Sequence, residues 1–334
     1  MIIYPWLEST YLNILNIYQQ GKGYAILISS PPGNGKASLF KVIIRWLMCS
    51  IKPKSMKYCG QCNSCQLMNT GNHPDYYYLN IKKERNSIGV DIIRMLIEKL
   101  YSHAYQDGAK LIWLAHIELL TKQGMNALLK IIEEPPDNTY FLLGCRDYAC
   151  ILPTLLSRCI YWQLPLPIES MGLSWLHQQN NDTYPILAAR TALRLCGGAP
   201  LAAQYLLNSA YWEQRIELCS TISKVLHSGK FLTLLPLIDV NDDAPLNWLL
   251  TILVDALKLQ QSSQDFLVNL DQSALINAIA KRWTTIYLHD KVQQLLYCRK
   301  KLSDIKGINR QLLLAHRLLN WELEISKYTY NNNI

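Results

Sequence analysis

The chain reads as an α/β protein, with an N-terminal parallel-sheet domain followed by helices. Three observations predict this. Short unbroken apolar runs (Tyr24 to Ser29, Lys110 to Ala115, Tyr140 to Gly144) alternate with amphipathic stretches, the pattern of strands covered on both faces of a parallel sheet. A glycine-rich segment, Ser30-Pro31-Pro32-Gly33-Asn34-Gly35-Lys36-Ala37, lies between the first such strand and a helix, which is where a phosphate-binding loop belongs. Past Pro165-Leu166-Pro167 the alternation stops and helical periodicity takes over.

The first strand, Tyr24 to Ser29, is apolar nearly throughout and therefore buried. The loop after it departs from the pattern G-x-x-x-x-G-K-[ST] at both ends: Ser30 replaces the first glycine and Ala37 replaces the hydroxyl that would bind Mg²⁺, while Gly33, Gly35 and Lys36 remain. An apolar-periodic helix is expected from about Leu39 to Met48, after which Cys49 to Cys65 interrupts the domain as an insertion. Next come a strand at Tyr76 to Leu79, a helix from about Gly89 to His103, and the strand Lys110 to Ala115. A helix with Met125, Leu128, Leu129 and Ile132 on one face is stopped by Pro135-Pro136. The strand Tyr140 to Gly144 leads through a helical stretch to Ser157-Arg158-Cys159 and a last strand, Ile160 to Leu164. Residues 1–166 therefore read as the α/β domain with a cysteine module at 49–65, residues 167–207 as a small helical lid, and 208–334 as a helical bundle. Amphipathic helices such as Trp248 to Leu259 and Gln311 to Tyr328 mark the bundle, and Asn331-Asn332-Asn333 is a low-complexity tail.

A half-apolar composition with 17% charged residues excludes a disordered chain. No apolar run approaches the roughly 18 to 20 residues that span a bilayer. The start, Met1-Ile2-Ile3-Tyr4-Pro5-Trp6, lacks the order of a signal peptide, so a soluble cytoplasmic protein without a membrane partner is expected. A net charge of +8 favours a polyanionic partner such as DNA, or acidic proteins, although the basic residues are scattered.

In a reducing compartment ten cysteines do not imply disulfides, and clustered ones read as metal ligands. Cys59, Cys62 and Cys65, with Cys49 at the end of the preceding helix, supply four soft ligands suited to a structural, tetrahedral Zn²⁺. Two-residue spacing lets a tight turn aim two sulfurs at one ion, and Gly60 provides the permissive backbone. One rival is an iron–sulfur cluster, but Gln66-Leu67-Met68 supplies neither the fourth cysteine nor the proline of that pattern, and the other is a set of unliganded buried thiols. The remaining six cysteines read as small apolar residues.

Several segments together resemble the delta-prime subunits of the bacterial DNA polymerase III clamp loader, within the AAA+ superfamily. They are Tyr4-Pro5-Trp6-Leu7, the degenerate loop, Cys59 to Met68, His73-Pro74-Asp75, Asn126-Ala127-Leu128-Leu129-Lys130, Glu133-Glu134-Pro135-Pro136, Ser157-Arg158-Cys159 and Gly307-Ile308-Asn309-Arg310. The resemblance implies an AAA+-type α/β module with a zinc insertion, a three-helix lid, and a C-terminal collar that closes a hetero-pentameric ring with other clamp-loader subunits. Contact with the sliding clamp would be indirect, and with primed DNA through the assembled complex.

It also implies what is missing. Active members end the strand equivalent to Leu111–Leu114 in Asp-Glu, and here those positions match Ala115 and His116; a γ-phosphate-sensing arginine of the lid is matched by Leu201. No intrinsic ATPase is then expected, because the groups that stabilise phosphoryl transfer are gone. Lys36 and Gly35 leave two readings, weak nucleotide binding or a loop that only packs. His116 reads as a structural strand-end residue more readily than as a general base, and Glu133-Glu134 as a helix end more readily than as catalytic carboxylates. Arg158 matches the family's arginine finger, which acts on a neighbour's ATP; its alternative is a salt-bridged surface arginine. The chain is thus expected to be a scaffold and arginine donor of the replicative polymerase's nucleotidyltransferase complex, alternatively a self-sufficient ATPase motor of the same fold. A zinc-dependent DNA-binding regulator fits less well, since no recognition-helix signature accompanies the cysteines.

Overall fold

The computed structural model describes residues 3–331 apart from 22, 52–55, 80–86, 102–103, 105–107, 181–183, 241 and 306. Met1-Ile2, the His103 end of the helix expected from Gly89, and Asn332-Asn333 of the tail lie outside the described residues. Two compact units result, Met1–Pro167 and Ile168–Ile334.

The first unit contains β1 (Ala25–Ser29), β2 (Tyr76–Leu79), β3 (Lys110–Leu114), β4 (Thr139–Cys145) and β5 (Ile160–Gln163). They form one parallel sheet in the order β2-β3-β4-β1-β5. Ala25 through Ser29 of β1 lie beside Phe141 through Cys145 of β4, and every residue of β1 and β3 is buried, as inner strands of a parallel sheet must be. Around the sheet lie α1 (Glu8–Gln19), α2 (Lys36–Met48), α3 (Asn63–Thr70), α4 (Val90–Leu100), α5 (Lys122–Glu133) and α6 (Pro153–Leu156). Ile93 and Leu96 of α4 and Leu128 and Ile131 of α5 close one core with Leu27, Ile112, Phe141 and Leu143 of the sheet.

The α/β class and the strand positions agree with the sequence reading, and the differences have physical causes. Helix α2 starts at Lys36, ahead of the expected Leu39, because Gly35 adopts φ 96° and turns the loop directly into the helix. Strand β4 begins one residue early, where Thr139 pairs with Lys110. Sequence analysis did not anticipate α1 and α3. Interspersed Asn and Gln dilute the α1 stripe of Tyr11, Ile14, Leu15 and Tyr18, and α3 is too short to show a period.

The second unit is helical, with no strand among the described residues: α7 (Glu169–Asn180), α8 (Ile186–Leu195), α9 (Pro200–Leu207), α10 (Ala210–Ser228), α11 (Leu235–Ile238), α12 (Ala244–Gln260), α13 (Ser273–Arg282), α14 (Thr285–Asp304) and α15 (Arg310–Asn331). Helix α12 begins four residues before the expected Trp248 because Pro245 is tolerated in a first turn. Ile222, Leu249, Ile252, Leu288, Leu318 and Trp321 are buried in the interior of this helical unit. Fully buried Arg215 donates to both carboxylate oxygens of Asp271, at 2.7 and 2.8 Å, and to Asn269 Oδ1 at 2.8 Å. The Asp271 amide in turn donates to Thr191 Oγ1 of α8 at 3.3 Å. Burial alone would raise the Asp271 pKa, but the Arg215 bonds outweigh it and hold the carboxyl below its ordinary range. No described helix is long and apolar enough to cross a membrane.

Candidate functional site

The insertion folds so that Cys49, Cys59, Cys62 and Cys65 converge, their Sγ atoms all within 4.8 Å of one another. Cys49 follows the last residue of α2, Cys62 caps α3, and Cys65 lies in its first turn. Gly60 turns the chain with φ 74°, in open space. Two sulfur pairs are 3.9 Å (Cys59–Cys65) and 4.0 Å (Cys49–Cys62) apart. Tetrahedral ligation at about 2.3 Å from metal to sulfur requires sulfur–sulfur edges of about 3.8 Å. Backbone N–H groups point at the sulfurs: Cys59 N–H donates to Cys49 Sγ at 3.4 Å, Cys62 N–H to Cys59 Sγ at 3.3 Å and Cys65 N–H to Cys62 Sγ at 3.4 Å.

Electrostatics splits the four thiols. Burial raises Cys49 and Cys65, whereas the Cys62 and Gln61 amides lower Cys59. Burial also opposes ionisation of Cys62, but donation from the Cys65 and Ser50 amides prevails and brings it to about 6. Four sulfurs this close cannot all ionise against one another, so the geometry invites a cation that neutralises them together. The donor set and its spacing fit a soft tetrahedral ion.

The module is tied to the α/β unit at three places. Tyr11 Oη donates to the Met56 carbonyl at 2.6 Å, Arg45 donates to Tyr58 Oη at 3.1 Å, and Ser64 bridges α3 to the end of α2 by donating to the Met48 carbonyl. Behind Ser64, His73 Nδ1 accepts from the Asp75 amide at 3.2 Å, which leaves Nε2–H to donate to Ser64 Oγ at 2.9 Å. His73-Pro74-Asp75 is thus the buried support of the cysteine module. Replacing His73 with leucine should lower unfolding free energy by about 1–3 kcal/mol, because a buried amide and hydroxyl lose their partner. Burial lowers the His73 pKa, so between that value and the ordinary one of about 6.5 the unfolded chain binds more protons than the folded one. The histidine's contribution is complete above pH about 6.5 and declines as pH falls through that window. Denaturant unfolding of both proteins at several pH values checks this; a wild-type advantage that grew on acidification would contradict it.

In the glycine-rich loop the side chains that would meet a nucleotide are engaged with the chain itself. Lys36 Nζ donates to the Cys145 carbonyl at 2.5 Å, and burial lowers its pKa, an effect offset in part by Glu118. Trp6 Nε1 donates to the Asn34 carbonyl at 2.9 Å, and Asn34 Nδ2 donates to the Pro165 carbonyl at 3.1 Å. Tyr4 and Leu7 press on Gly35 so closely that a Cβ there would lie 2.8 and 2.9 Å from them. Gly33 also has a left-handed backbone, φ 80°. Ala115 follows β3 without a carboxylate, and His116 Nδ1 pairs with Glu118 Oε1 at 3.2 Å. Leu201 lies on α9 of the second unit. Glu118, placed near Lys36 by the short turn after β3, escaped the sequence reading because no phosphate-site pattern has an acid at that offset.

Arg158 follows α6 on the surface, its side chain 38% exposed. It pairs with Glu133, the last residue of α5. The acidic pair before Pro135 therefore does more than end a helix: its first member holds an arginine 25 residues downstream, a separation that carries no sequence signal.

Comparison with known proteins covers nearly the whole chain. The family model described as DNA polymerase III, delta subunit, matches residues 8–167. The AAA+ ATPase lid domain of DNA polymerase III subunit delta' matches residues 167–208, and the model for the C-terminal part of the DNA polymerase III delta subunit matches 209–323. DNA polymerase III subunit delta' of Yersinia pestis is 45% identical over 98% of this chain and 98% of its own length. The Escherichia coli protein of the same name is 38% identical over 96% of this chain and 95% of its own. Among solved structures, a DNA polymerase III gamma subunit-related protein from Thermotoga maritima has the same fold, with a TM-score of 0.50 and 19% identity over 93% of this chain and 98% of its own.

Proposed function

The chain belongs to the DNA polymerase III delta-prime family, and from that premise we propose that it is an ATPase-silent clamp-loader subunit that donates Arg158 to a neighbour's ATP site. In this reading residues 1–166 are the AAA+-type module, 167–207 the lid and 208–334 the collar through which a hetero-pentameric ring assembles. The ring loads the sliding clamp onto primed DNA in the cytoplasm. Zn²⁺ held by Cys49, Cys59, Cys62 and Cys65 is structural, since four protein ligands leave no position open for a substrate. The observation that carries silence in cis is the engagement of Lys36 with the Cys145 carbonyl beside a strand that is followed by Ala115-His116. A cation already bonded there, with no carboxylate at either position to order Mg²⁺ and water, cannot assemble the electrostatics of phosphoryl transfer.

Purified chain should hydrolyse no ATP, and Mg²⁺-ATP should leave its unfolding temperature unchanged. Replacing Lys36 with methionine should lower unfolding free energy by no more than about 1.5 kcal/mol, because the Cys145 carbonyl still accepts from the Ser30 amide. The assembled loader should keep nearly all its activity with that variant. Steady turnover by the isolated chain, abolished by Lys36→Met, would establish the motor reading instead.

A further inference from the structure

We propose that Glu133 is a positioning residue for Arg158, fixing its guanidinium in the orientation that meets an anionic oxygen on the neighbouring subunit. This rests on the reading of Arg158 given above. A guanidinium presents five N–H groups in a rigid planar fork. Here Nε–H donates to Glu133 Oε1, while Nη1 donates to the Thr154 carbonyl at 2.8 Å and to Ser157 Oγ at 3.2 Å. Nη2 has no partner among the described residues. Nε and Nη1 are therefore occupied by the arginine's own subunit, and Nη2, on a side chain 38% exposed, is left for an acceptor from outside.

The anchors come from separate elements. Glu133 ends α5, Thr154 lies within α6, and Ser157 follows it, so the packing of α5 and α6 sets the direction of the fork. The Glu133 side chain is itself 46% exposed, and ion pairs this open contribute little to folding. Orientation is where such a pair acts: an unheld arginine samples many rotamers and loses that freedom when it binds, whereas a held one has already lost it. A misplacement of about 1 Å in a group that contacts a transition state can lower turnover roughly a hundredfold. The opposite function is also written into the pair's charge, because a carboxylate beside a guanidinium can hold it back from phosphate. The open Nη2 favours presentation over retention.

The test uses complete clamp loaders assembled with wild-type, Glu133→Ala, Glu133→Gln, Arg158→Ala and Glu133→Ala/Arg158→Ala chains, assayed for ATP turnover with sliding clamp and primed DNA. Glu133→Ala should lower kcat at the adjoining site about tenfold while KM for ATP stays within about twofold. Glu133→Gln, which keeps an acceptor oxygen at the same reach, should recover most of the loss. In the Arg158→Ala background the Glu133 change should add nothing, since the two act as a unit. Unchanged turnover with Glu133→Ala, a rise in turnover, or a full additional loss in that background would overturn the proposal. If Arg158→Ala itself has no effect, the finger reading fails and takes this one with it; if Arg158→Ala is slow and Glu133→Ala is not, the role of Glu133 alone is refuted. Zinc content and unfolding temperature of every variant should match wild type.

Discussion

Cys62→Ser protein should leave purification without metal, whereas wild type should carry one Zn²⁺ per chain and be colourless. Structural zinc has an apparent binding free energy on the order of 10 to 16 kcal/mol at neutral pH, and this energy is also what folds such modules. Changes in the outer shell of a metal site cost roughly 10 to 100-fold in affinity, so deletion of a ligand from the shell itself should cost more. Without the ion, four partly buried sulfurs face one another within 4.8 Å and nothing balances their charge. The three ties at Met56, Tyr58 and Ser64 should then loosen together, and amide exchange across the described part of 49–65 should rise. The sheet should remain, because its core of Leu27, Ile112, Phe141 and Leu143 makes no use of the metal. Elemental analysis and hydrogen exchange check both halves of this result. Iron in the wild-type protein, or a Cys62→Ser protein that retains full metal, would defeat the assignment.

The cysteine cluster was legible in the sequence because ligand spacing is a local property: two-residue gaps and a glycine encode the turn, and only Cys49 had to be brought in from the end of a helix. The inner strands were legible for a similar reason, since β1 and β3 are buried on both faces and so show as unbroken apolar runs. What could not be read depends on pairs far apart in the chain. His73 gave no sign that it would stand behind Ser64, nor Lys36 that it would bond to Cys145, nor Glu133 that it would meet Arg158. The departures from the phosphate-loop and strand-end patterns were visible at Ala37 and Ala115, but how Lys36 is satisfied required the fold.

Arg158→Ala, in a correctly assembled ring, should separate rate from stability more sharply than any other single change in this chain. The side chain is 38% exposed and its partner Glu133 46%, so the ion pair lost contributes about 0–1 kcal/mol to folding. A trans-acting arginine, by contrast, is worth roughly 10³ to 10⁵ in turnover, because it neutralises charge that develops on the transferred phosphoryl group. The variant should therefore fold, keep its zinc and enter the ring normally, yet hydrolysis at the one adjoining ATP site should fall by at least about a thousandfold and clamp loading on primed DNA should slow. Arg158→Lys should not restore the rate, since an ammonium keeps the charge but loses the planar fork that Glu133 and Thr154 hold at Nε and Nη1 and that offers Nη2. Single-turnover hydrolysis in rings where only that site binds ATP is the decisive measurement. Wild-type turnover and loading by a well-assembled Arg158→Ala ring would reduce the residue to a surface ion pair with Glu133.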